Sequence, residues 1–293
     1  SPRVALQLRP FEDDSQIYAS WGRAFKSPTY NTVNLLGGLP ETIGGVLTGR
    51  LTPPEIKPVK EEQVDSYELG IKTDLFDRTL RVNAAAFYTE QKNLLTGFVG
   101  VLTGGIVSYA NAPGAEIKGA EADVLWTPMA DLNPGFVVTG ALSVLDAKYT
   151  DYPNGKGFDE TTGIAFGDGD TSPLAARDFK GNRIVRTPKY TYNIGLSQTI
   201  DLSSGSIELG ADLNYNDGFF FLAQNSDLYA RESNTVINAR INYLHDPWGL
   251  QLGVFCLNLS DETYNEAVFV DDFGRNQILN NPRTYGVRAK LEF

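Results

Sequence analysis

The chain has 293 residues, of which 42% are hydrophobic and 21% charged, as in an ordinary folded protein rather than a disordered chain. The formal net charge of −11 argues against a nucleic-acid partner. One cysteine, Cys256, excludes an intrachain disulfide, and one histidine, His245, excludes a two-histidine metal motif. The many glycines and aromatic residues, with one methionine, indicate strands and tight turns.

Polar and apolar residues alternate with a period of two along most of the chain. In the segment from Tyr190 to Ile200, for example, Ile194 falls on the apolar face and Asn193 on the polar one. The same pattern predicts eleven strands. Their spans are 3–9, 16–25, 64–75, 79–91, 116–127, 136–149, 189–200, 206–219, 235–244, 250–259 and 283–293. No apolar run reaches the roughly 18 residues that a transmembrane helix needs.

The connections between these strands alternate between short and long. Short turns rich in Gly, Pro, Asp and Ser lie at 10–15, 76–78, 129–134, 201–205 and 245–249. Long connections, expected to be loops, lie at 26–63, 92–115, 150–188, 220–234 and 260–282. The alternation is typical of an all-β, antiparallel transmembrane barrel in a Gram-negative outer membrane, with periplasmic turns and long extracellular loops.

The two faces of the predicted strands differ in charge. The polar face carries Glu68, Lys72, Arg81, Glu121, Asp212, Arg240 and Arg288, whereas the apolar face is expected to be almost free of charge. Aromatic residues gather near strand ends. Phe76, Trp126, Tyr243, Trp248 and Phe293 are expected at the short-turn end, and Phe25, Tyr149, Tyr215 and Phe219 at the long-loop end. Two such belts around an apolar band are the girdles of an outer-membrane barrel.

An odd number of strands is informative for a barrel. Single-chain bacterial barrels normally have an even number of strands, and an open sheet would leave unpaired edges in lipid. The sequence opens with Ser1-Pro2-Arg3, without an apolar leader. We therefore expect that N-terminal strands of the protein are missing from this chain. A count of twelve strands would instead allow a closed barrel.

An ordered set of motifs identifies a family. The motifs are Phe25-Lys26-Ser27-Pro28, Tyr67-Glu68-Leu69-Gly70-Ile71-Lys72, Ile117-Lys118-Gly119-Ala120-Glu121-Ala122, Leu257-Asn258-Leu259-Ser260-Asp261-Glu262-Thr263-Tyr264 and Pro282-Arg283-Thr284-Tyr285-Gly286-Val287-Arg288 before a terminal Phe293. Together they resemble the C-terminal half of the barrel of a TonB-dependent outer-membrane receptor, over essentially the whole of residues 1–293.

The resemblance implies a 22-strand barrel around a globular plug, which the inner-membrane protein TonB moves through a short N-terminal box. Neither the plug nor the box is present in this sequence. The implied function is active uptake of a scarce nutrient, either siderophore-bound iron, a vitamin or an oligosaccharide, without enzyme activity or a cofactor. The implied partners are outer-membrane lipids, the protein's own plug and N-terminal strands, TonB, the small nutrient and the barrel assembly machinery. Tyr285 and Phe293 would be the signal that this machinery reads.

Other functions fit the strand pattern as well. A passive porin would lack a plug, and an autotransporter-type translocator would carry a helix before its first strand. An outer-membrane enzyme would need a catalytic pair at the upper rim, whereas His245 falls in a predicted periplasmic turn. Residues 168–172 have closely spaced oxygen ligands that could bind calcium, but they lack the later glutamate of an EF-hand, and a Gly-Asp turn is the simpler explanation. We predict no metal site.

Ligand contacts are expected on loop tips and on the upper part of the lumen, where binding residues concentrate. The candidates are Tyr30, Asn31, Asn34, Phe219, Phe220, Phe221, Gln224, Phe269, Phe273, Arg275 and Asn276, whose aromatic members could stack on ligand rings. Packing within the loops is the alternative role for these residues. The charges on the polar face are expected to contact the plug, with plain solvation in the lumen as their alternative.

Overall fold

The computed structural model describes residues 1–10, 15–30, 39–43, 46–52, 58–99, 107–167, 174–271 and 274–292. Eleven strands form one sheet in which each strand pairs antiparallel with its neighbours along the chain. They are β1 Arg3–Leu8, β2 Ser15–Lys26, β3 Glu62–Leu75, β4 Leu80–Val99, β5 Val107–Trp126, β6 Phe136–Asp151, β7 Tyr190–Leu202, β8 Gly205–Asn216, β9 Asn234–His245, β10 Leu250–Leu257 and β11 Thr284–Leu291. β1 and β11 are the edges of this sheet.

The predicted all-β antiparallel architecture with eleven strands is confirmed. Nine of the predicted spans agree with the observed strands to within three residues at either end. The exceptions are β4 and β5, which continue far into the predicted loop and pair as far as Val99 with Val107. The prediction stopped early because Asn93, in a left-handed conformation, and Pro113 interrupt the alternation although pairing resumes beyond them.

The short turns all close the same end of the sheet. Phe76, Asp77 and Arg78 all have positive φ angles of 52–67° between β3 and β4, and the backbone N–H of Thr79 donates to the carbonyl of Phe76 at 3.0 Å. A 3₁₀ turn at Asp246–Trp248 joins β9 to β10. These compact connections fix neighbouring strands in register, because turn length and conformation determine which residues pair.

Pairing register divides the sheet into two faces. The first, here called the outward face, carries apolar rows, such as Leu69, Ala86, Ala120 and Val144, which pair across β3–β6. The opposite, polar face carries the predicted lumen charges. An aromatic row of Trp21, Tyr67 and Tyr88 borders the outward apolar band at the long-loop end. At the short-turn end Trp126, Tyr243 and Trp248 border it.

Two residues expected in the upper aromatic belt lie elsewhere. Tyr149 lies on the polar-face register of β6 and is 1% exposed, because loop side chains pack over it. Phe219 lies beyond the end of β8, which terminates at Asn216, and packs within a loop. Aromatic spacing alone could not separate a membrane belt from a loop core.

The long connections at the other end of the sheet contain short strands of their own. Short antiparallel pairs join Thr29–Tyr30 to Pro58–Val59, Leu39–Ile43 to Val46–Thr52, Gly157–Phe158 to Ala165–Phe166, Phe219–Phe220 to Ala230–Arg231 and Asn265–Asp271 to Gly274–Leu279. A 3₁₀ turn spans Asp227–Tyr229. Within the described residues, no helix has both the length and the hydropathy needed to span a membrane.

The loops after β6, β8 and β10 form what is called here the cap. Its first hydrophobic cluster joins the upper ends of β5 and β6 to the loop after β6. The members are Ala112, Ala115, Ala147, Tyr149, Tyr152, Phe166, Phe179 and Ile184. A second cluster joins all three loops through Phe158, Phe221, Tyr229, Val268 and Val270. The described parts of these three long connections are therefore packed elements rather than structureless loops.

Candidate functional site

A groove of about 700 Å³ lies on the polar face of the sheet beneath the cap. Its floor comes from β5–β9 and includes Glu121, Asp123, Asn193 and Asn214. Arg231 and Tyr264 from the cap, together with Asn234 at the start of β9, complete the lining. The groove therefore combines carboxylates and amides on a rigid wall with one cation and one aromatic ring from the loops.

A chain of amide hydrogen bonds positions the floor of the groove. The Asn193 Nδ2 donates to Asn214 Oδ1 at 2.6 Å, and Asn214 Nδ2 donates to Asp212 Oδ2 at 2.8 Å. Asn238 Nδ2 donates to the same carboxylate oxygen at 2.7 Å. These residues come from three adjacent strands, so the pairing register places them side by side. Locked side chains of this kind suit recognition, because little conformational entropy is lost when a ligand binds.

The acidic end of the floor continues toward β2. Asp123 accepts a hydrogen bond from Asn83 Nδ2 at 2.8 Å. Further along, the Tyr18 hydroxyl donates to Glu68 Oε1 at 2.6 Å. Gly70 makes this contact feasible, because a Cβ there would lie 2.4 Å from the Tyr18 ring. The polar face thus presents fixed carboxylate and amide oxygens rather than free charges.

Arg231 is the cation of the groove. Its guanidinium carbon lies 3.9 Å from the centroid of the Tyr264 ring and 5.5 Å from that of Phe219, which are cation–π distances. Its Nη2 donates to Asn234 Oδ1 at 3.1 Å. Among the described residues its Nε is shielded from solvent and has no hydrogen-bond acceptor. Arg231 is therefore oriented over the groove by its neighbours, with its buried Nε–H left unsatisfied among the described residues.

The chain reverses at Gly218 to bring Arg231 over the groove. Gly218 has φ of +86°, and a Cβ there would lie 2.4 Å from the carbonyl oxygen of Arg231. The carbonyl of Gly218 accepts a hydrogen bond from Arg183 Nη2 at 3.2 Å. Only glycine fits this left-handed close approach, so the position of Arg231 depends on it.

The structure places one group of predicted ligand residues within the cap. Phe221 is 8% exposed and belongs to the second hydrophobic cluster, with the Arg186 guanidinium 5.5 Å from its ring. Phe220 lies under Arg183 at 5.5 Å, and Phe219 packs edge-on against Phe221 at 5.1 Å. All three aromatic residues contact cap residues. Only Phe219, through Arg231, touches the lining of the groove.

Gln224 also belongs to the cap. Its Oε1 accepts from the backbone N–H of Phe158 at 2.9 Å, and its Nε2 donates to the Phe158 carbonyl at 3.0 Å. The neighbouring Asn225 pairs in the same way with both backbone groups of Arg183, at 2.6 and 3.0 Å. These two amides join the loop after β8 to the loop after β6. A role of Gln224 in ligand binding stays a prediction.

The remaining loop candidates are exposed. Tyr30 and Phe269 are 58% and 55% exposed, and Arg275 and Asn276 lie on the exposed strand of the last hairpin. These four residues are apart from the groove lining. Asn31, Asn34, Phe273 and the candidate calcium segment 168–172 lie outside the described residues.

The predicted lumen charges share the polar face. The set is Glu68, Lys72, Arg81, Glu121, Asp212, Arg240 and Arg288. Several have partners within the wall: Arg81 forms a two-pronged ion pair with Asp74 at 2.7 and 3.0 Å, and Arg240 contacts Glu208 at 3.2 Å. Their contact with a plug stays a prediction. Tyr285 is exposed on the outward face of β11, and Phe293 lies outside the described residues.

His245 and Cys256 stand apart from the groove. His245 packs against Trp248 with ring centroids 4.6 Å apart at the periplasmic end of β9. Cys256 is half-buried on the outward register of β10. In the part of the chain that the structure describes, no group of three or more His, Cys, Asp or Glu side chains is arranged to hold a metal ion.

Sequence reasoning missed most of the groove. Asn193 and Asn214 were visible as polar-face residues of adjacent strands, and their common level could have been deduced from the short turn at 201–205. Arg231 and Tyr264 carried no comparable signal. They reach the groove through loop packing that no local pattern encodes.

The fold and the site define a class of protein. An outward apolar band between two aromatic rows, a polar opposite face and a structured cap over one end form the wall of a transmembrane β-barrel receptor. Residues 1–259 match the family model described as TonB dependent receptor-like, beta-barrel. The chain belongs to this family, whose barrels lie in the outer membrane of Gram-negative bacteria.

Relatives in sequence and structure agree with the family. The pesticin receptor of Yersinia enterocolitica is 24% identical over 291 residues, which are 96% of this chain and 34% of that protein. The ferric yersiniabactin uptake receptor FyuA from Yersinia pestis aligns with a TM-score of 0.71 at 18% identity, covering 99% of this chain and 37% of that one. The siderophore receptor PiuA from Acinetobacter baumannii aligns with a TM-score of 0.66 at 20% identity, covering 98% of this chain and 35% of that one. The chain spans about a third of the length of these relatives.

Proposed function

We propose that this chain is the C-terminal part of an outer-membrane receptor that binds a ferric siderophore at the capped groove and imports it by TonB-coupled movement of a plug. The groove carries the proposal, because it joins a rigid polar wall to a packed cap at the extracellular end. Relatives described as a ferric yersiniabactin uptake receptor and a siderophore receptor support iron chelates over vitamins or oligosaccharides as the ligand class.

Arg231 is the residue we assign to the ligand's anionic oxygens. Siderophores bind iron through oxygen-rich groups, and an arginine held over an aromatic ring recognises such oxygens by charge-assisted hydrogen bonds. Arg231 lines the groove, and Asn234 and the rings of Tyr264 and Phe219 hold it in place. Tyr264 supports the guanidinium from one side, and the amides of Asn193 and Asn214 would contact neutral polar groups of the ligand.

The polar face below the groove would bind the plug. Its mixed charges, such as Lys72 and Arg240, are accompanied by acids on the same face, so both signs are available to a plug surface. The missing strands and the plug would be supplied by the rest of the receptor, since this chain spans about a third of its relatives. TonB would act through that remaining part.

The test is uptake of radioactive iron by cells that carry the full-length receptor as their only siderophore receptor. A panel of iron-loaded siderophores is supplied, and each is measured with and without TonB. We expect saturable uptake of at least one siderophore that stops when TonB is deleted. Uptake that continues at the same rate without TonB would show a passive pore and overturn the proposal.

Variants in the cap connect this activity to the groove. Arg231→Gln removes the cation and should weaken binding of the transported siderophore roughly 10- to 100-fold, as expected for loss of a hydrogen bond to a charged group. Arg177→Gln is the matched control, since this arginine also lies over an aromatic ring, Phe166, at 4.1 Å but does not line the groove. Equal losses of affinity in both variants would place the ligand elsewhere.

A further inference from the structure

The loop between β10 and β11 is closed at its base by one buried side chain. Asn258 follows β10 directly, is 5% exposed and has φ of +52°. Its Oδ1 accepts from the backbone N–H of Glu262 at 2.8 Å, and its Nδ2 donates to the carbonyls of Glu262 and Asn281 at 2.9 and 3.2 Å. Asparagine adopts a left-handed backbone more readily than most residues, so Asn258 supplies both the turn and the amide.

A second amide completes the base of this loop. Asn280 Oδ1 accepts from the backbone N–H of Tyr264 at 2.8 Å, and the backbone N–H of Asn280 donates to the Tyr264 carbonyl at 3.1 Å. Asn280 Nδ2 donates to the Glu262 carbonyl, which Asn258 also contacts, at 3.0 Å. Asn258 and Asn280 therefore hold the two ends of the loop together and fix the backbone of Tyr264.

Tyr264 connects this base to the cation of the groove. Its ring lies 3.9 Å from the Arg231 guanidinium carbon. The next residue, Asn265, donates from Nδ2 to the carbonyl of Ala230 at 3.1 Å. The loop thus contacts both the side chain of Arg231 and the backbone just before it. A displacement of Tyr264 would remove the aromatic support of Arg231, so the position of the cation depends on the base of the loop.

The base of the loop is also joined to the floor of the groove. The backbone N–H of Asn258 donates to Asn238 Oδ1 at 2.9 Å. Asn238 Nδ2 donates to Asp212, the carboxylate that also accepts from Asn214 in the floor. Because a carboxylate only accepts, both amides must turn their NH₂ groups toward Asp212, which leaves the Asn238 oxygen facing Asn258. One continuous set of hydrogen bonds therefore links the floor to the loop that supports Arg231.

We propose that Asn258 and Asn280 are positioning residues of the groove, which act on the ligand through Tyr264 and Arg231. Both asparagines lie outside the lining of the groove, so they influence binding by holding Tyr264 in place rather than by touching the ligand. The effect on a ligand rests on the proposed function, whereas the position of Arg231 can be measured without any ligand.

The first test measures how accessible Arg231 is in the ligand-free, full-length receptor. Phenylglyoxal, which modifies accessible guanidinium groups, is the probe, and peptide mass spectrometry gives its rate at each arginine. Asn258→Gly tolerates the left-handed backbone and removes only the amide, so Arg231 should react severalfold faster while Arg177 is unchanged. Asn280→Ala should have the same effect. Asn280→Asp keeps the acceptor for the Tyr264 N–H, and Arg231 should react more slowly there than in Asn280→Ala.

Asn93→Gly is the matched control for Asn258→Gly. Asn93 also has a positive φ, of 55°, and its Nδ2 donates to the carbonyl of Glu61 at 3.1 Å, but it lies in β4 and outside the groove lining. Equal acceleration at Arg231 in this control would overturn the proposal, and so would unchanged rates in both Asn258→Gly and Asn280→Ala. If Asn258→Gly does not fold, the comparison of the two Asn280 variants decides.

The second test asks whether Asn258 acts through Arg231. The receptor is titrated with the iron-loaded siderophore that it transports, and Asn258→Gly should lower the affinity about tenfold, as for the loss of one hydrogen bond. When Arg231→Gln is already present, Asn258→Gly should lower the affinity by less than about twofold, because the cation that it positions is gone. Losses that multiply would show independent action and overturn the proposal. If no siderophore binds the native receptor, the proposed function fails, and the phenylglyoxal rates still decide whether the asparagines position Arg231.

Discussion

The wall of the barrel and the cap are held together by different interactions. In the wall, strand ladders satisfy the backbone, and apolar side chains such as Ile194 and Leu196 stay exposed on the outward face, where lipid is their solvent. In the cap, large side chains are buried as in a small globular protein, with Tyr149, Phe158 and Phe166 almost fully enclosed. The comparison shows that the three loops of the cap form a packed body, and the groove lies where this body meets the wall.

The largest expected effect comes from emptying the centre of the cap. Phe166 is completely buried and contacts Phe179 at a ring distance of 6.1 Å. Phe166→Ala should destabilise the cap by about 3–5 kcal/mol, because it removes buried surface and leaves a cavity. Hydrogen exchange of the amides in 152–167 and 174–189 should accelerate accordingly, whereas amides of β7 should keep their protection.

The matched control for Phe166→Ala lies on the wall. Leu196→Ala removes an apolar side chain that is 45% exposed on the outward face of β7. It should leave exchange in the cap unchanged. If Phe166→Ala accelerated exchange in β7 as much as in the cap, the two regions would unfold as one unit, and the contrast between them would fail.

A smaller effect is expected at the junction of the two regions. Gly218→Ala places a Cβ 2.4 Å from the Arg231 carbonyl at φ of +86°, so backbone strain of about 1–3 kcal/mol is expected. Because Arg231 must shift, affinity for the transported ligand should fall together with cap stability. Gly163→Ala is the control, since Gly163 has φ of +68° but nothing within 4 Å of its Cβ position.

The Gly163→Ala control measures the free-energy cost of the left-handed backbone alone, without the steric clash that Gly218→Ala adds. Cap amide exchange and ligand affinity should change more in Gly218→Ala than in Gly163→Ala. Similar values for both variants would show that the close approach to Arg231 has no consequence for the groove.

The difference between wall and cap also decides what could be read from the sequence. The wall was predictable, because a period of two and short turns determine strand spans and faces without any distant contact. β4 and β5 were cut short only where Asn93 and Pro113 interrupt that period. The cap was not predictable, because its clusters join residues more than a hundred positions apart, such as Phe158 and Val268.

The same difference between local pattern and distant packing explains which residues of the candidate site could be predicted from the sequence. Glu121 was placed on the polar face by alternation and does line the groove. Phe221 and Gln224 were chosen as loop residues able to bind a ligand, yet the structure uses both inside the cap. Arg231 was missed, since its place over the groove follows from Gly218 and Tyr264 rather than from any local motif.

Gln224 offers a test of how the loops are joined. Its amide hydrogen-bonds to both backbone groups of Phe158, so Gln224→Ala removes two hydrogen bonds between the loops and should cost the cap about 1–3 kcal/mol. The amide of Phe158 should then exchange faster. Gln224→Glu keeps the acceptor for that amide and should lose less. If Gln224→Ala instead lowered ligand affinity with no change in exchange, the predicted ligand role of Gln224 would be supported.

The smallest expected effect is a pH dependence confined to the cap. The backbone N–H of Thr162 and the guanidinium of Arg177 donate to Asp159, which lowers the pKa of that carboxyl below its usual value. A lowered pKa means that the folded cap favours the ionised form, so this stabilisation is complete above about pH 4 and is lost as the pH falls through the lowered pKa. Exchange of the Thr162 amide, corrected for intrinsic rates, should therefore accelerate below about pH 4 in the native receptor, because the carboxylate is its acceptor. Asp159→Asn cannot ionise and should show a flat profile over the same range. A transition of equal size in the Asp159→Asn variant would show that another group causes the pH dependence. The claim that this turn helps to stabilise the cap would then be wrong.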